Sequence, residues 1–489
     1  MLATATLEII PSTELRLPLV AAQPGIWMAD HLAASGNAYV VAQYVDVNGP
    51  LDIRCFHTAV RLGLAEADTV HARFVDGADG PVQILPTAVD PAALPEPELV
   101  DLRGDADPAG AARLSMEEDF AAASGPPRHR QVLFRIGDER WIWYQRYHHL
   151  MVDGYSFAAI ARRVATIYTA LRRGRPVGAS PFAPFSEVVE EYQAYAGSEA
   201  EARDRAFWAE HTRDLPAPIH LAPASASPGG TTAGLPPRHA IHLDAAPFTG
   251  KGPAASDMVM AAIAVYLHRM TGAAPVWIGL PLMRRLGSAA ANAVGPVVNV
   301  LPMRVSVAPA LSLVEIAREV AAELKVVRRH QRYEAEQLRR DLGLVGTGRG
   351  MHGPVLNFKM FDYRLDFDGV EATTHQLASG PIEDVEIGVY LADGRVSIDL
   401  VADPTRLQAE DLARHGDRLG RLVRALIAAP DRPVGEFPPL DDDERRLLAG
   451  WSRGAVLPLA DGERTVLDVF LGQVDAQGDA IAVVSGDRR

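Results

Sequence analysis

With 489 residues, 48% of them apolar and 22% charged, the chain has the composition of a globular protein of about two to four domain-sized units. Its 62 acidic against 48 basic residues leave a net charge of −14, which speaks against a nucleic-acid-binding field, and no stretch reaches the roughly 18 apolar residues of a membrane helix. Cys55 is the single cysteine, which excludes a disulfide framework and a cysteine metal cluster; residues 1–10 lack the basic start and apolar run of a signal peptide, so a soluble cytoplasmic protein is expected.

In chain order, residues 132–136 and 140–147 are rich in aromatic and β-branched side chains. Gly137-Asp138-Glu139 separates them, which predicts a hairpin whose second strand runs straight into His148-His149. Trp141-Ile142-Trp143-Tyr144 within it reads as core. After Gly154, apolar residues recur at Phe157, Ile160, Ala161, Val164, Ile167, Tyr168 and Leu171, one face of an amphipathic helix with Gly174 as its stop. A Pro-rich joint covers 176–184, and Glu190-Glu191-Tyr192 reads as solvated helix. Residues 215–237, dense in Pro, Ala, Ser and Gly, read as a surface loop.

Further along, helices are expected over 257–269, ending near Gly272, and from Ser312 to about Arg329, where Ser312 and Glu315 have the spacing of a capping box. Residues 275–282 and 297–305 read as buried strands, 407–428 as a helix, 430–440 as a linker, and Asp441-Asp442-Asp443-Glu444 as the opening of a short helix. The basic run Val327-Arg328-Arg329-His330-Gln331-Arg332, followed by Arg339-Arg340, reads either as a solvated helix face or as a docking patch for an acidic partner. Gly346-Thr347-Gly348-Arg349-Gly350 lacks the Lys–Ser/Thr of a phosphate loop and reads as a flexible loop.

The densest chemistry lies in Tyr147-His148-His149-Leu150-Met151-Val152-Asp153-Gly154, at a strand–turn–helix junction. An imidazole titrates near neutral pH and can accept or donate a proton. Two adjacent strand residues point to opposite faces, so the two histidines cannot do the same job. Asp153 can orient a His or pair with an Arg, and Gly154 can offer an N–H to a developing oxyanion. Three readings stand side by side: buried structural histidines, a His/Asp metal site without further ligands at sensible spacing, and acyl transfer assisted by a His base. The chemistry alone does not choose between them.

His148-His149-x-x-x-Asp153-Gly154 matches the HHxxxDG signature of the condensation-domain superfamily, which also holds epimerisation domains and acyltransferases like chloramphenicol acetyltransferase. Other segments resemble the family's motifs in the right order. They are Leu17-Pro18-Leu19-Val20-Ala21-Ala22-Gln23-Pro24-Gly25-Ile26-Trp27, the G-x-x-x-N-x-x-P-x-R strand from Gly295 to Arg304, His330-Gln331-Arg332-Tyr333-Glu334-Ala335-Glu336, and the N-F-containing strand at 353–361. Over residues 15–450 the chain thus resembles the condensation domains of nonribosomal peptide synthetases. One motif departs: where the family has R-H-E-x-L-R-T-x-F, this chain has Glu66-Ala67-Asp68-Thr69-Val70-His71-Ala72-Arg73-Phe74, which reads as structural.

The resemblance implies an α/β (α+β) fold of two chloramphenicol-acetyltransferase-like lobes in a V-shaped pseudo-dimer, 15–178 and 179–440, with a channel reaching the centre from both faces. It implies that His149 faces the reaction centre and assists an acceptor amine as it attacks a donor thioester. His148 and Asp153 are then framework, Gly154 a candidate for stabilising the intermediate, Arg285 the partner of Asp153 with Arg284 as the alternative, and Asn299 a residue shaping the channel. No cofactor or metal is bound directly; substrates arrive on phosphopantetheine arms of carrier proteins.

The runs 17–29, 143–157, 179–195, 283–290 and 328–337 look especially like condensation domains of siderophore synthetases. That implies a 2,3-dihydroxybenzoyl-like aryl donor on a carrier delivered in trans, and an aminoacyl acceptor on a downstream carrier. Residues 441–489 resemble a linker and the truncated start of an adenylation domain. An epimerisation domain, a coenzyme A-dependent acyltransferase and a non-catalytic carrier-recruiting domain are the alternatives.

Overall fold

The computed structural model describes residues 14–32, 37–78, 80–123, 129–223, 234–248, 252–359, 364–392, 394–454 and 465–486. The chain divides into two units, 1–439 and 440–489. The first is α/β, with two six-stranded mixed sheets and a small sheet of three strands, β1 (Glu14–Pro18), β3 (Arg73–Gly77) and β4 (Gly80–Pro86), in the order β1-β4-β3.

The first large sheet is built from β2 (Val40–Asn48), β5 (Glu98–Asp101), β6 (Arg130–Gly137), β7 (Arg140–His148), β12 (Arg364–Phe367) and β13 (Val370–Ser379), in the order β12-β13-β2-β7-β6-β5. The expected hairpin is β6–β7, paired antiparallel from Arg130↔Arg146 to Gly137↔Arg140. Every residue of β7 after Arg140 is buried, because both faces of the sheet are covered. One face packs on the helices Ile53–Ala65 and Gly154–Arg172, the other on the helix Pro108–Ala122. Trp143, fully buried, removes roughly 200 Å² from water, on the order of 5 kcal/mol before entropy is counted.

The helix Gly154–Arg172 forms where its apolar residues recur at helical spacing. Asp153 caps its start by accepting from Ser156 N, and Phe157, Ile160, Ala161, Val164, Ile167 and Tyr168 turn inward. Gly174, at φ +61°, follows its end. β13 belongs to the second half of the sequence but pairs with β2, from Ala372↔Val47 to Ser379↔Val41, with a bulge between Gln376 and Ala378. The first sheet is thus completed by strands encoded far downstream.

The second large sheet takes β8 (Arg238–Asp244), β9 (Val276–Leu282), β10 (Asn299–Val305), β11 (Val355–Phe358), β14 (Val385–Ala392) and β15 (Arg395–Ala402), in the order β10-β9-β11-β14-β15-β8. β11 runs parallel to both neighbours and the other pairings are antiparallel. A single apolar core joins this sheet to the helices Ala255–Thr271, Leu313–Arg329 and Ala409–Ala428. Ser312 and Glu315 form the expected capping box. In the second unit, the helices Asp442–Trp451 and Val466–Ala476 each open on a capping box, Asp441 with Glu444 and Thr465 with Asp468.

Two expectations need correction. Glu190-Glu191-Tyr192 is not a solvated face throughout: Glu191 accepts from Ser288 Oγ and Ala289 N and pairs with Arg332, while the Arg284 guanidinium lies 4.2 Å over the Tyr192 ring. Nor is 215–237 all surface loop. Leu221 and Ala222 are buried in the apolar core, where their N–H groups donate to Asp384; 224–233 lie outside the described residues. So do Met360 and Phe361 of the N-F segment.

Candidate active site

The junction of β7 with the helix Gly154–Arg172 brings the motif together. His149 N donates to Tyr39 O at 2.8 Å, extending the pairing of β2 with β7 by one residue before the turn. His148, 1% exposed, has both ring nitrogens engaged: Leu150 N donates to Nδ1 at 3.2 Å, so Nε2 carries the proton it shares with Asp30 Oδ1 at 3.3 Å. His149, on the opposite face, is half-buried and closely surrounded by protein, and its Nδ1 has no hydrogen-bond partner among the described residues. Burial pushes this imidazole below the ordinary histidine range, against smaller opposing pulls from its own carbonyl, Asp153 and the Val152 carbonyl.

Asp153, 3% exposed, sits in a dense set of donors. Ser156 N lies 2.9 Å and Ser156 Oγ 2.8 Å from its Oδ1, and Val297 N donates to Oδ2 at 3.2 Å. Arg285 Nη2 bridges both oxygens at 3.0 and 2.9 Å. Burial alone would raise the Asp153 carboxyl; Arg285 and the Ser156 and Val297 donors outweigh it and hold it below the usual carboxylate range. Arg285 spends its other Nη on Ala290 O and Ala293 O, both at 2.7 Å, and stacks 4.1 Å over the Tyr155 ring. Gly295, at φ +146°, closes this shell: its N donates to Ser156 Oγ at 2.9 Å, and a Cβ there would strike the Phe185 ring at 2.2 Å.

The neighbouring Arg284 does not meet Asp153. It points to Glu334 at 2.6 Å and to the Tyr192 hydroxyl. Gly154 is the exposed first residue of its helix, where N–H groups have no intrahelical acceptor. Asn299, at the start of β10, is 4% exposed and pins the 331–335 segment through Gln331 O, Tyr333 O and Ala335 N. In the basic run, His330 pairs with Asp204 and Arg332 with Glu191, whereas Arg328 and Arg329 are exposed.

Several residues at this site carried no local sequence signal. Asp30, partner of His148, is one. Gly380, just after β13, is another: a Cβ on it would lie 3.0 Å from His149 Cδ2. A third is a buried charge cluster between the two sheets, where Lys359 pairs with Glu386 at 2.9 Å and reaches Gln376 on β13, and Glu386 accepts from Ser379 Oγ at 2.6 Å. Among the described residues, no group of three His, Cys, Asp or Glu is placed to hold a metal ion, and no helix is long and apolar enough to cross a membrane.

Two mixed sheets, with an HHxxxDG turn whose Asp is locked to an Arg, define an acyltransferase of the chloramphenicol-acetyltransferase-like class. The family model described as Condensation domain matches residues 14–449, and the chain belongs to that family. Its members form amide bonds in nonribosomal peptide synthesis from carrier-bound acyl groups. The chain is 44% identical over 431 residues, 86% of its length, to enterobactin synthase component F of Escherichia coli O157:H7, and spans 33% of that relative. It is 34% identical over 485 residues to vanchrobactin synthetase VabF of Vibrio anguillarum, covering 96% of this chain and 17% of the relative. Among solved structures, the starter condensation domain of rhizomide synthetase in complex with C8-CoA is similar at a TM-score of 0.80 and 32% identity, over 86% of this chain and 97% of that one.

Proposed function

We propose that this domain joins an aryl donor thioester, 2,3-dihydroxybenzoyl-like and held on a carrier supplied in trans, to the amine of an aminoacyl group on a downstream carrier, in siderophore-type synthesis. The observation that carries the reading is the contrast inside the motif: His148 and Asp153 have their polar atoms engaged, while His149 keeps a ring nitrogen without a partner among the described residues and burial favours its neutral form.

In this reading the acceptor nitrogen attacks the thioester carbonyl carbon while His149 accepts a hydrogen bond from it and takes its proton. The tetrahedral intermediate collapses, the C–S bond breaks, and the proton passes to the leaving sulfur, giving an amide and a free pantetheine thiol. A positioned base of this kind contributes about 10²–10⁴-fold, and holding two tethered ends together contributes further. Gly154 N–H is the candidate donor to the oxyanion. Asp153 and Arg285 fix the turn that aims His149, and Asn299 fixes a wall of the channel. The reading takes 15–178 and 179–440 as the two lobes and 441–489 as the linker and first part of an adenylation domain, in a cytoplasmic enzyme.

The test is a single-turnover reaction with defined aryl- and aminoacyl-loaded carriers, followed by intact mass. Amide on the acceptor carrier is expected, with a loss of at least about 10²-fold for His149→Ala. Undiminished output from that variant would leave a carrier-recruiting role only, and product from soluble coenzyme A thioesters without carriers would point to the acyltransferase alternative.

A further inference from the structure

One helix, Gln23–Leu32, underlies the turn that carries His149. Gln23, Ile26, Trp27 and Asp30 fall at i, i+3, i+4 and i+7, so they share one face. Ile26 and Trp27 pack with Leu19 and Leu150 in a small apolar cluster. The two polar members of the stripe reach past that cluster to the motif itself. Asp30 Oδ1 meets His148 Nε2 at 3.3 Å, and Gln23 Nε2 donates to Leu150 O at 3.0 Å. The residues on either side of His149 are therefore tied to the same helix face.

Gln23 is 0% exposed, and both ends of its carboxamide are spent. Oε1 accepts from Val20 N at 3.0 Å, and Nε2 also lies 3.1 Å from Gln83 Oε1. Gln83, equally buried, donates in turn to Pro18 O at 2.9 Å. The chain enters the helix through Ala21 at φ +54°, a left-handed conformation that is costly for a residue with a Cβ. An apolar side chain of similar size would fill the same volume, and a buried hydrogen bond adds little net stability over such a replacement of both partners. What the carboxamide adds is direction, because it fixes where the Leu150 carbonyl stands.

The helix is held from its far side as well. Nearly opposite the stripe, Gly25 abuts Glu336, and a Cβ on Gly25 would stand 3.0 Å from that side chain. Glu336 follows the 331–335 segment that Asn299 pins. The helix is thus wedged between the motif turn and the second half of the sequence. The polar groups that bear on the His149 ring are its own carbonyl, Asp153, His148 and the Val152 carbonyl, and all belong to that turn. The ring goes where the turn goes.

We propose that Gln23 and Asp30 are positioning residues for amide formation: by holding Leu150 and His148 they set the reach of His149 towards the acceptor amine. This deepens the role given to His149 above and rests on it.

The experiment measures kcat and KM with loaded carriers for the native protein, Gln23→Met, Asp30→Leu and Asp30→Asn. It is paired with carbon–proton spectra of the histidine Cε1–H groups, in which His149→Ala identifies the His149 signal. Gln23→Met and Asp30→Leu are each expected to lower kcat about tenfold or more at unchanged KM and to displace the His149 signal. Asp30→Asn keeps an oxygen for His148 Nε2 and is expected to stay within about threefold of the native kcat. Thermal melting verifies that each variant is folded, and the Gln23 and Asp30 arms stand in for one another if one is not. A native kcat in folded Gln23→Met or Asp30→Leu protein, a loss confined to KM, or an Asp30→Asn protein as impaired as Asp30→Leu overturns the proposal. If the native protein forms no amide at all, the reaction assigned above falls, and the spectra then decide alone. A His149 signal unmoved in the variants overturns the positioning, and a displaced one leaves it standing.

Discussion

Gly380 and His149 touch across the two halves of the sequence: a methyl group on Gly380 would stand 3.0 Å from His149 Cδ2, and Gly380 adopts φ +99°. The position refuses a side chain twice over, by backbone conformation and by the ring beside it. Gly380→Ala is expected to cost on the order of 1–2 kcal/mol for the conformation, and to lower the single-turnover rate about tenfold or more by displacing the imidazole. Melting temperature and rate measured on the same preparation check both. An unchanged rate would remove Gly380 from the seat of His149.

Arg285 and Asp153 are 5% and 3% exposed, so removing one strands the charge of the other. Arg285→Met is expected to destabilise the fold by about 3–5 kcal/mol, whereas the pair replaced together, Arg285→Met with Asp153→Leu, recovers much of that loss. Chemical denaturation of both single variants and the double variant gives the coupling. Additive losses would mean that the contact is not what holds the turn.

Burial pushes His149 below the ordinary histidine range, which sets the sign of the pH dependence. If the neutral ring accepts the amine proton, the rate is flat through neutral pH and falls only on the acid side, with a midpoint below about 6.5. A single-turnover profile from pH 5 to 8 with a pH-insensitive donor reads it. A midpoint above the ordinary histidine value would contradict the assignment.

His129 gives a stability counterpart. Its folded value near 4 lies below the unfolded value of about 6.5, so between these the unfolded chain binds the extra proton and stability rises with pH. Acidification from 6.5 towards 4 is expected to cost up to about 3 kcal/mol through this group. His129→Gln should flatten that part of the stability–pH curve measured by urea unfolding.

Lys359, just past β11, and Glu386 on β14, 6% and 8% exposed, tie the second sheet to β13 of the first through Gln376 and Ser379. Lys359→Met alone is expected to cost about 3–5 kcal/mol, and Lys359→Met with Glu386→Leu distinctly less. Urea midpoints at constant m-value decide it.

The sequence carried local structure well and long-range pairing poorly. The hairpin β6–β7, the helix after Gly154 and the Ser312 capping box follow from spacing and cap chemistry, which act over a few residues. The contact of Arg285 with Asp153 was reachable only through resemblance, since nothing local links the two. Asp30 beneath His148, Gly380 beside His149 and the register of β13 on β2 depend on how distant segments meet, and no periodicity encodes that.

Because β13, with β12 beyond it, covers the outer side of β2, the amino-terminal half of this chain leaves the ribosome with a bare hydrogen-bonding flank. It stays bare until the segment ending at Ser379 has been synthesised. That open flank is a template for wrong pairings in the meantime. Cutting the gene between the two halves therefore severs the first sheet, while the second, built wholly from residues 238–402, stays with the downstream product.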